Sequence, residues 1–316
     1  MFVSLKDKCA ALGSELKTLA LHGSLLLVVA LLPERLHFRM FRALAWLHPL
    51  LLSVDSARAG LQGFMPDATV SPALAARRIA LHQLVAYADF YLILFYGDRW
   101  FARNVVVDSS LLPADTHDKG PFFFTPHYGQ GVWAMHYLKR QQMPLTRLHA
   151  PPPPQSPPGQ RVAGWLARWR TRQLEKLTGV SSITVGNGGS VERMRTRLCD
   201  ERMPVLAMPD APVAPQQRQI PVQLLDRPAA FAHGVMALAA RENIPVYIYT
   251  MAIDPCSGQR HLCLQGPFMD CDSQRLAQSL ADISTQAIRH DPYAWHLWPW
   301  LESFLRQTDI PPTEGA

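Results

Sequence analysis

From about Gly120 onward, short apolar runs alternate with stretches of helical periodicity, and that alternation limits the chain to few architectures. The runs are "PFFFTP", "SSITVG", "PVLAMP" and "IPVYIYTMAI", separated by helical patterns such as Gly189 to Glu201 and Ala229 to Asn243. Short apolar runs joined by amphipathic helices suit strands covered on both faces, so the spacing predicts an α/β body with a mostly parallel sheet. "RHLCLQGPF" can return antiparallel to "IPVYIYTMAI" through the turn "DPCSGQ", which makes the sheet mixed. A helix from about Ser273 to His290 and the aromatic segment "DPYAWHLWPW" follow.

Residues 1–104 read almost wholly as helix. The apolar run Leu19 to Leu32, "LALHGSLLLVVALL", falls short of the roughly 20 residues a spanning helix needs. The next stretch, "LHFRMFRALAWLHPLLLSV", intersperses Arg39 and Arg42 among apolar residues, as a helix lying in the interface does. The expectation is a pair of N-terminal membrane-associating helices attached to one membrane face, in a chain whose N-terminal region lacks a secretory cleavage pattern. Two amphipathic helices packed on a soluble body are the alternative. A third helix starts at Ser71, with Pro72 in its first turn. The chain is thus divided into a helical section, 1–104, and an α/β body, 105–316, forming one continuous domain. Pro151 to Pro158, rich in proline, predicts an extended surface stretch.

Charge narrows the partners. A formal net charge of +6 and a pI near 9.2 favour acidic ones: anionic lipid, an acidic carrier protein or nucleic acid. The basic residues are scattered among apolar helices with no recognition fold, which argues against nucleic acid. Cysteines 9, 199, 256, 263 and 271 form no C-x-x-C pair or zinc spacing and read as reduced thiols, and the histidines show no ligand-like cluster, so no metal is expected. There is no G-x-S-x-G elbow, no phosphate-binding P-loop and no H-E-x-x-H.

Attention therefore falls on "FFFTPHYGQGVWAM", Phe122 to Met135. Gly129, Gly131 and Ala134 fit the dinucleotide fingerprint, but that site wants an acid about 20 residues further on. None occurs between Asp118 and Glu175, so no cofactor is expected. His127 remains, just past a strand's carboxyl end and at a helix entrance, where open α/β sheets place ligands. An imidazole titrating near neutrality there can take a proton from an acceptor hydroxyl. A purely structural histidine is the alternative.

Together with later blocks, "TPHYGQGVWA" resembles the lipid A biosynthesis acyltransferase family within the lysophospholipid-acyltransferase-like superfamily. "NGGSVERMRTRLCDERMPVLAMPDAP" is similar to that family's helix, strand and P-D-Q block. "IPVQLLDRPAAFAHGVMALAARENIPVYIYTM" is similar to its V-P-F-F-G-x-P-A stretch, and "DPYAWHLWPW" to its P-E-Q-W-x-W ending. The likeness covers roughly residues 15–305 and implies acyl transfer from an acyl carrier protein or coenzyme A thioester to a lipid hydroxyl. It also implies the cytoplasmic face of a bacterial inner membrane. One departure stands out: the family's acid four residues after the histidine is Val132 here, followed by Trp133.

Asp210 is the candidate replacement, because it follows the strand "PVLAM" and would emerge beside His127 if both strands are parallel neighbours. Otherwise it caps the turn "PDAP". Gly129 and Gln130 are expected at the substrate, with backbone amides near Gly129, or an arginine, meeting the oxyanion. Arg168 and Arg172, one turn apart, are candidates for lipid phosphate or the carrier protein, as is Arg227 in "DRPAAF"; solvated charge is the plain alternative for all three. Arg193 and Arg197 form a similar pair. Two rival functions stay open: transfer of an aminoacyl or aryl-type group from a dedicated carrier, and a non-catalytic protein that holds lipid or carrier.

Overall fold

The computed structural model describes residues 5–66, 70–107, 118–150, 159–186, 188–212, 217–301 and 303. The proline stretch 151–158 lies outside the described residues, as does Asn187.

Among the described residues five helices precede the sheet: α1 (Leu5–Leu31), α2 (Glu34–Trp46), α3 (His48–Leu51), α4 (Asp55–Phe64) and α5 (Pro72–Asn104). The α/β portion then runs β1 (Val105–Val107), β2 (Phe122–Phe124), α6 (Val132–Arg140), β3 (Thr146–His149), α7 (Arg161–Thr178), β4 (Ile183–Thr184) and α8 (Ser190–Arg195). It continues with β5 (Val205–Ala207), β6 (Gln219–Leu224), β7 (Arg227–Ala232), α9 (His233–Arg241), β8 (Val246–Ile253), β9 (Arg260–Phe268) and α10 (Ser273–His290).

Seven strands form one sheet in the order β1-β9-β8-β2-β5-β3-β4. The five from β8 to β4 run parallel, while β9 turns back antiparallel to β8 and β1 pairs parallel to β9. The sheet is therefore mixed and mostly parallel, flanked by helices, as the alternation of runs predicts. Phe122, Phe123 and Phe124 are buried, as are Val205, Leu206 and Ala207 beside them, which is why these strands read as unbroken apolar runs.

Two sequence expectations change. The helix expected over Ala229 to Asn243 begins only at His233, because Arg227–Ala232 is a strand. Leu225 and Asp226 both adopt positive φ, 52° and 62°, and make the two-residue turn of the β6–β7 hairpin, whose pairing overrides the helical preference of its alanines. The helix expected from Gly189 to Glu201 is α8 followed by a π-helical turn, Thr196–Asp200.

The N-terminal helices are fastened to the sheet rather than set apart. Asp89 of α5 and Arg260 of β9 form an ion pair, 0% and 1% exposed, with Arg260 Nε 3.1 Å from Asp89 Oδ2. Glu15 of α1 accepts the N–H groups of Arg161 and Val162 at 2.7 and 2.8 Å, capping the start of α7 from a distant point in the chain. Both α1 and α5 contain windows long and apolar enough to cross a membrane by length and composition. For α5 that window is 61% buried, as befits a core helix; for α1 it is 22% buried. The apolar run at Leu19 to Leu32 is thus part of a longer continuous helix, which ends at Leu31 before Pro33. Leu12, Leu16, Leu19, Leu27 and Leu31 stand exposed along it, joined by Trp46 and Leu50 from α2 and α3.

Candidate active site

The carboxyl edge of β2 and β5 builds the site. The two strands pair in parallel, with Phe122 opposite Val205 and Phe124 opposite Ala207. His127 lies three residues beyond Phe124 and Asp210 three beyond Ala207, so equal offsets bring them to the same height at the sheet's rim. Thr125 N–H still bonds to Ala207 O at 3.2 Å, and Pro126 then ends the ladder because proline has no N–H to give.

At the next position Asp210 takes over as acceptor. Its Oδ2 accepts the His127 backbone N–H at 2.7 Å and its Oδ1 lies 2.7 Å from His127 Nδ1. An ionised carboxylate only accepts, so Nδ1 carries the proton and the neutral ring presents an unprotonated Nε2. Asp210 is 1% exposed, whereas the His127 side chain is 28% exposed. Nε2 has no partner among the described residues. Burial alone would lower the His127 pKa; the charge and hydrogen bond of Asp210 outweigh it and hold the ring above the ordinary histidine value. Asp210 is therefore the carboxylate that orients the imidazole.

Val132, at the position of the family's acid, is 5% exposed and apolar, and the following Trp133 stacks on Trp100 of α5 with centroids 4.5 Å apart. The carboxylate beside His127 thus comes from the loop after β5 and not from the helix that follows the histidine.

The loop behind His127 is held by groups that sequence reasoning missed. His296 donates its backbone N–H to His127 O at 2.8 Å, and its Nε2 lies 2.9 Å from Gly129 O. A carbonyl can only accept, so His296 is protonated at Nε2. Burial, aided by the nearby charges of His82, His127 and Arg170, pushes its pKa down to about 4, against the opposing bond to Gly129. His296 is thus a neutral strut. Nothing in the pattern "DPYAWHLWPW" distinguished it from the aromatic residues around it.

Gly129 has φ +67°, and a Cβ there would lie 1.6 Å from Met251 O of β8. It is expected at the substrate, but the structure uses it for close backbone approach. Its N–H bonds to Ala294 O at 3.0 Å, that of Gln130 to Met251 O at 3.3 Å and that of Tyr128 to Pro126 O at 2.7 Å. The amides expected to meet the oxyanion near Gly129 are accordingly occupied. The amides of Gly131 and Val132, at the start of α6, have no acceptor among the described residues and are the donors this edge offers to a developing negative charge.

Gln130 is corrected as well: at 2% exposed it points inward, its Nε2 3.5 Å from His82 Nδ1, while His82 Nε2 reaches Asp291 Oδ2 at 2.9 Å. A side chain in that chain of polar contacts is turned into the protein and braces the loop. Burial would raise the Asp291 carboxyl, yet its bond and charge interaction with His82 keep it below the ordinary value. Arg227 lies with its guanidinium 4.3 Å from the Phe64 ring centroid, tying the hairpin to α4 in place of the expected substrate contact. Arg168 and Arg172 stand exposed on α7 and make no hydrogen bond or ion pair among the described residues. Arg193 bonds to Thr184 O at 3.1 Å and Arg197 pairs with Glu201.

No protein-family model matches the chain, and no curated protein is significantly similar to it. His127 and Asp210, with the open amides of α6 following in the chain, make an arrangement that can serve as a general base: an oriented, partly exposed imidazole whose Nε2 is free of partners among the described residues.

Proposed function

We propose that the protein is an acyltransferase of the lipid A biosynthesis type, acting on a lipid or glycolipid acceptor at the cytoplasmic face of a bacterial inner membrane. The observation that carries the reading is the double engagement of Asp210 by the His127 ring and backbone, which fixes Nδ1–H inward and leaves Nε2 to a substrate. The exposed leucines of α1 support attachment to a lipid surface.

In this reaction the acceptor hydroxyl gives its proton to His127 Nε2 as its oxygen attacks the carbonyl carbon of an acyl carrier protein or coenzyme A thioester. Asp210 stabilises the resulting imidazolium without taking its proton. The tetrahedral oxyanion is met by the Gly131 and Val132 amides. Collapse breaks the carbon–sulfur bond, the thiolate recovers the proton from Nε2, and an ester and a free thiol leave. Neither step requires a covalent enzyme intermediate.

Mass spectrometry of lipid extracts made with the wild-type protein and with His127→Ala tests the reading. An added fatty chain that vanishes in the variant supports it. An added aminoacyl or aryl-type group would change the donor. A full biological effect from the variant would mean a protein that only holds lipid or carrier.

A further inference from the structure

Two partly buried arginines of the α/β body form no ion pair among the described residues. Arg147 projects from β3 and Arg170 from α7, both partly buried, and neither makes a hydrogen bond or ion pair among the described residues. Nη2 of Arg147 is fully buried with no acceptor. The carboxylate that bears on Arg147, Glu175, accepts the Ser182 N–H at 3.1 Å and forms no ion pair with it. Around Arg170 stand the phenols of Tyr87 and Tyr91 and the ring of Phe90, whose centroid is 5.7 Å from the guanidinium carbon. His22 closes this wall through a 2.8 Å bond to Tyr91 Oη. No carboxylate stands among the groups around Arg170, and the one that bears on Arg147 is engaged by Ser182.

Such an arrangement is costly as it stands. Burial lowers the pKa of both guanidiniums, and the positive charge of Arg170 lowers that of Arg147 further. Buried charge is retained where something pairs it, and a buried donor with no acceptor marks where a ligand atom is missing. Two guanidiniums, each a planar fork of donors, match a tetrahedral dianion in both charge and geometry better than they match a single carboxylate. The location is also informative. β3 is the strand next to β5, with Arg147 opposite Leu206, and α7 ends against the start of β3, where the Leu145 N–H bonds to Thr178 O at 3.3 Å, while Arg170 faces Phe90 of α5.

We propose that Arg147 and Arg170 form a phosphate-binding site that seats a phosphoryl group behind the His127 loop, between β3, α5 and α7. Binding of phosphate stands independently of catalysis; identifying the phosphoryl group as part of donor or acceptor rests on the acyl-transfer reading.

The test is thermal unfolding of the full chain in detergent, in phosphate-free buffer and with inorganic phosphate, coenzyme A, or micelles containing phosphatidic acid or phosphatidylcholine. Inorganic phosphate should raise the midpoint. Arg147→Gln and Arg170→Gln should each require about tenfold or more phosphate for the same rise. Arg170→Met should raise the midpoint in phosphate-free buffer, since it removes one of two like charges, while losing the phosphate response. A response to coenzyme A but not to phosphatidic acid assigns the site to the donor, and the reverse assigns it to the acceptor; both support the proposal. No rise with any phosphate, or an equal rise in the variants, overturns it. Because the readout is binding, an inactive protein that passes this test refutes only the transfer reaction, and an active one that fails it refutes only the phosphate site.

Discussion

Replacing Asp210 by asparagine is the sharpest perturbation of the site, because the substitution keeps shape and changes only what the side chain can accept. Asp210 receives two hydrogen bonds at 2.7 Å, one from the His127 backbone and one from Nδ1. An asparagine has one carbonyl oxygen and one amide group. If the oxygen keeps the backbone N–H, the amide faces Nδ1, which must then accept, and the ring proton moves to Nε2. The base is thereby blocked. Losing an oriented, correctly protonated imidazole costs about 10⁴ in turnover in comparable dyads, equivalent to about 5.5 kcal/mol of transition-state stabilisation. Loss of one charge-assisted bond costs the fold only about 1.5–3 kcal/mol. Thioester-dependent lipid acylation measured beside circular dichroism and thermal melting separates the two effects. A variant that melts within a few degrees of wild type and turns over within tenfold of it would refute the assignment of Asp210.

Further outcomes follow from the same geometry. Since Asp210 raises the His127 pKa and the reaction needs the neutral ring, kcat/KM should climb with pH through a midpoint above about 6.5; in Asp210→Asn the residual activity should titrate lower, and an unmoved midpoint would count against the pairing. Gly129→Ala drives a Cβ into Met251 O at positive φ and should destabilise the protein by about 3 kcal/mol or more in denaturant unfolding. Gly131→Ala meets only the Tyr249 side chain, no nearer than 3.5 Å, and should fold normally. Asp89→Ala strands Arg260 and should cost about 3–5 kcal/mol, most of it recovered when Arg260→Met is added, as urea midpoints will report. Leu16→Lys with Leu27→Lys should weaken co-sedimentation with lipid vesicles while leaving the melting temperature near wild type, both leucines being exposed.

What the sequence made legible was whatever short spacing encodes. The run from Phe122 through His127 into the helix at Val132 specified strand, histidine and helix directly. Asp210 could be proposed because its strand would end on the same edge if it paired in parallel with that of His127, and the parallel pairing places it there. What stayed hidden depends on contacts across long separations. Gln130 looks like a loop residue beside a catalytic histidine; only the packing of α5 turns it toward His82. His296 is far along the chain and meets the loop through backbone atoms, which leave no trace in side-chain identity. The hairpin at Leu225 and Asp226 uses positive φ at a leucine, which no turn rule favours. Arg147 and Arg170 were invisible as a pair because β3 is short and lacks the apolar run that would have announced it.

The carboxylate of Glu15 closes the first turn of α7 from within α1, so these two helices share one mechanical fate. Whatever surface grips the leucine-studded side of α1 also bears on the rod that carries Arg170, and lifting α1 away leaves the start of α7 uncapped. Glu15 thereby ties the seating of α7 to that of α1, and Glu15→Asp, too short to reach both N–H groups, should loosen this joint while leaving the His127–Asp210 pair in place.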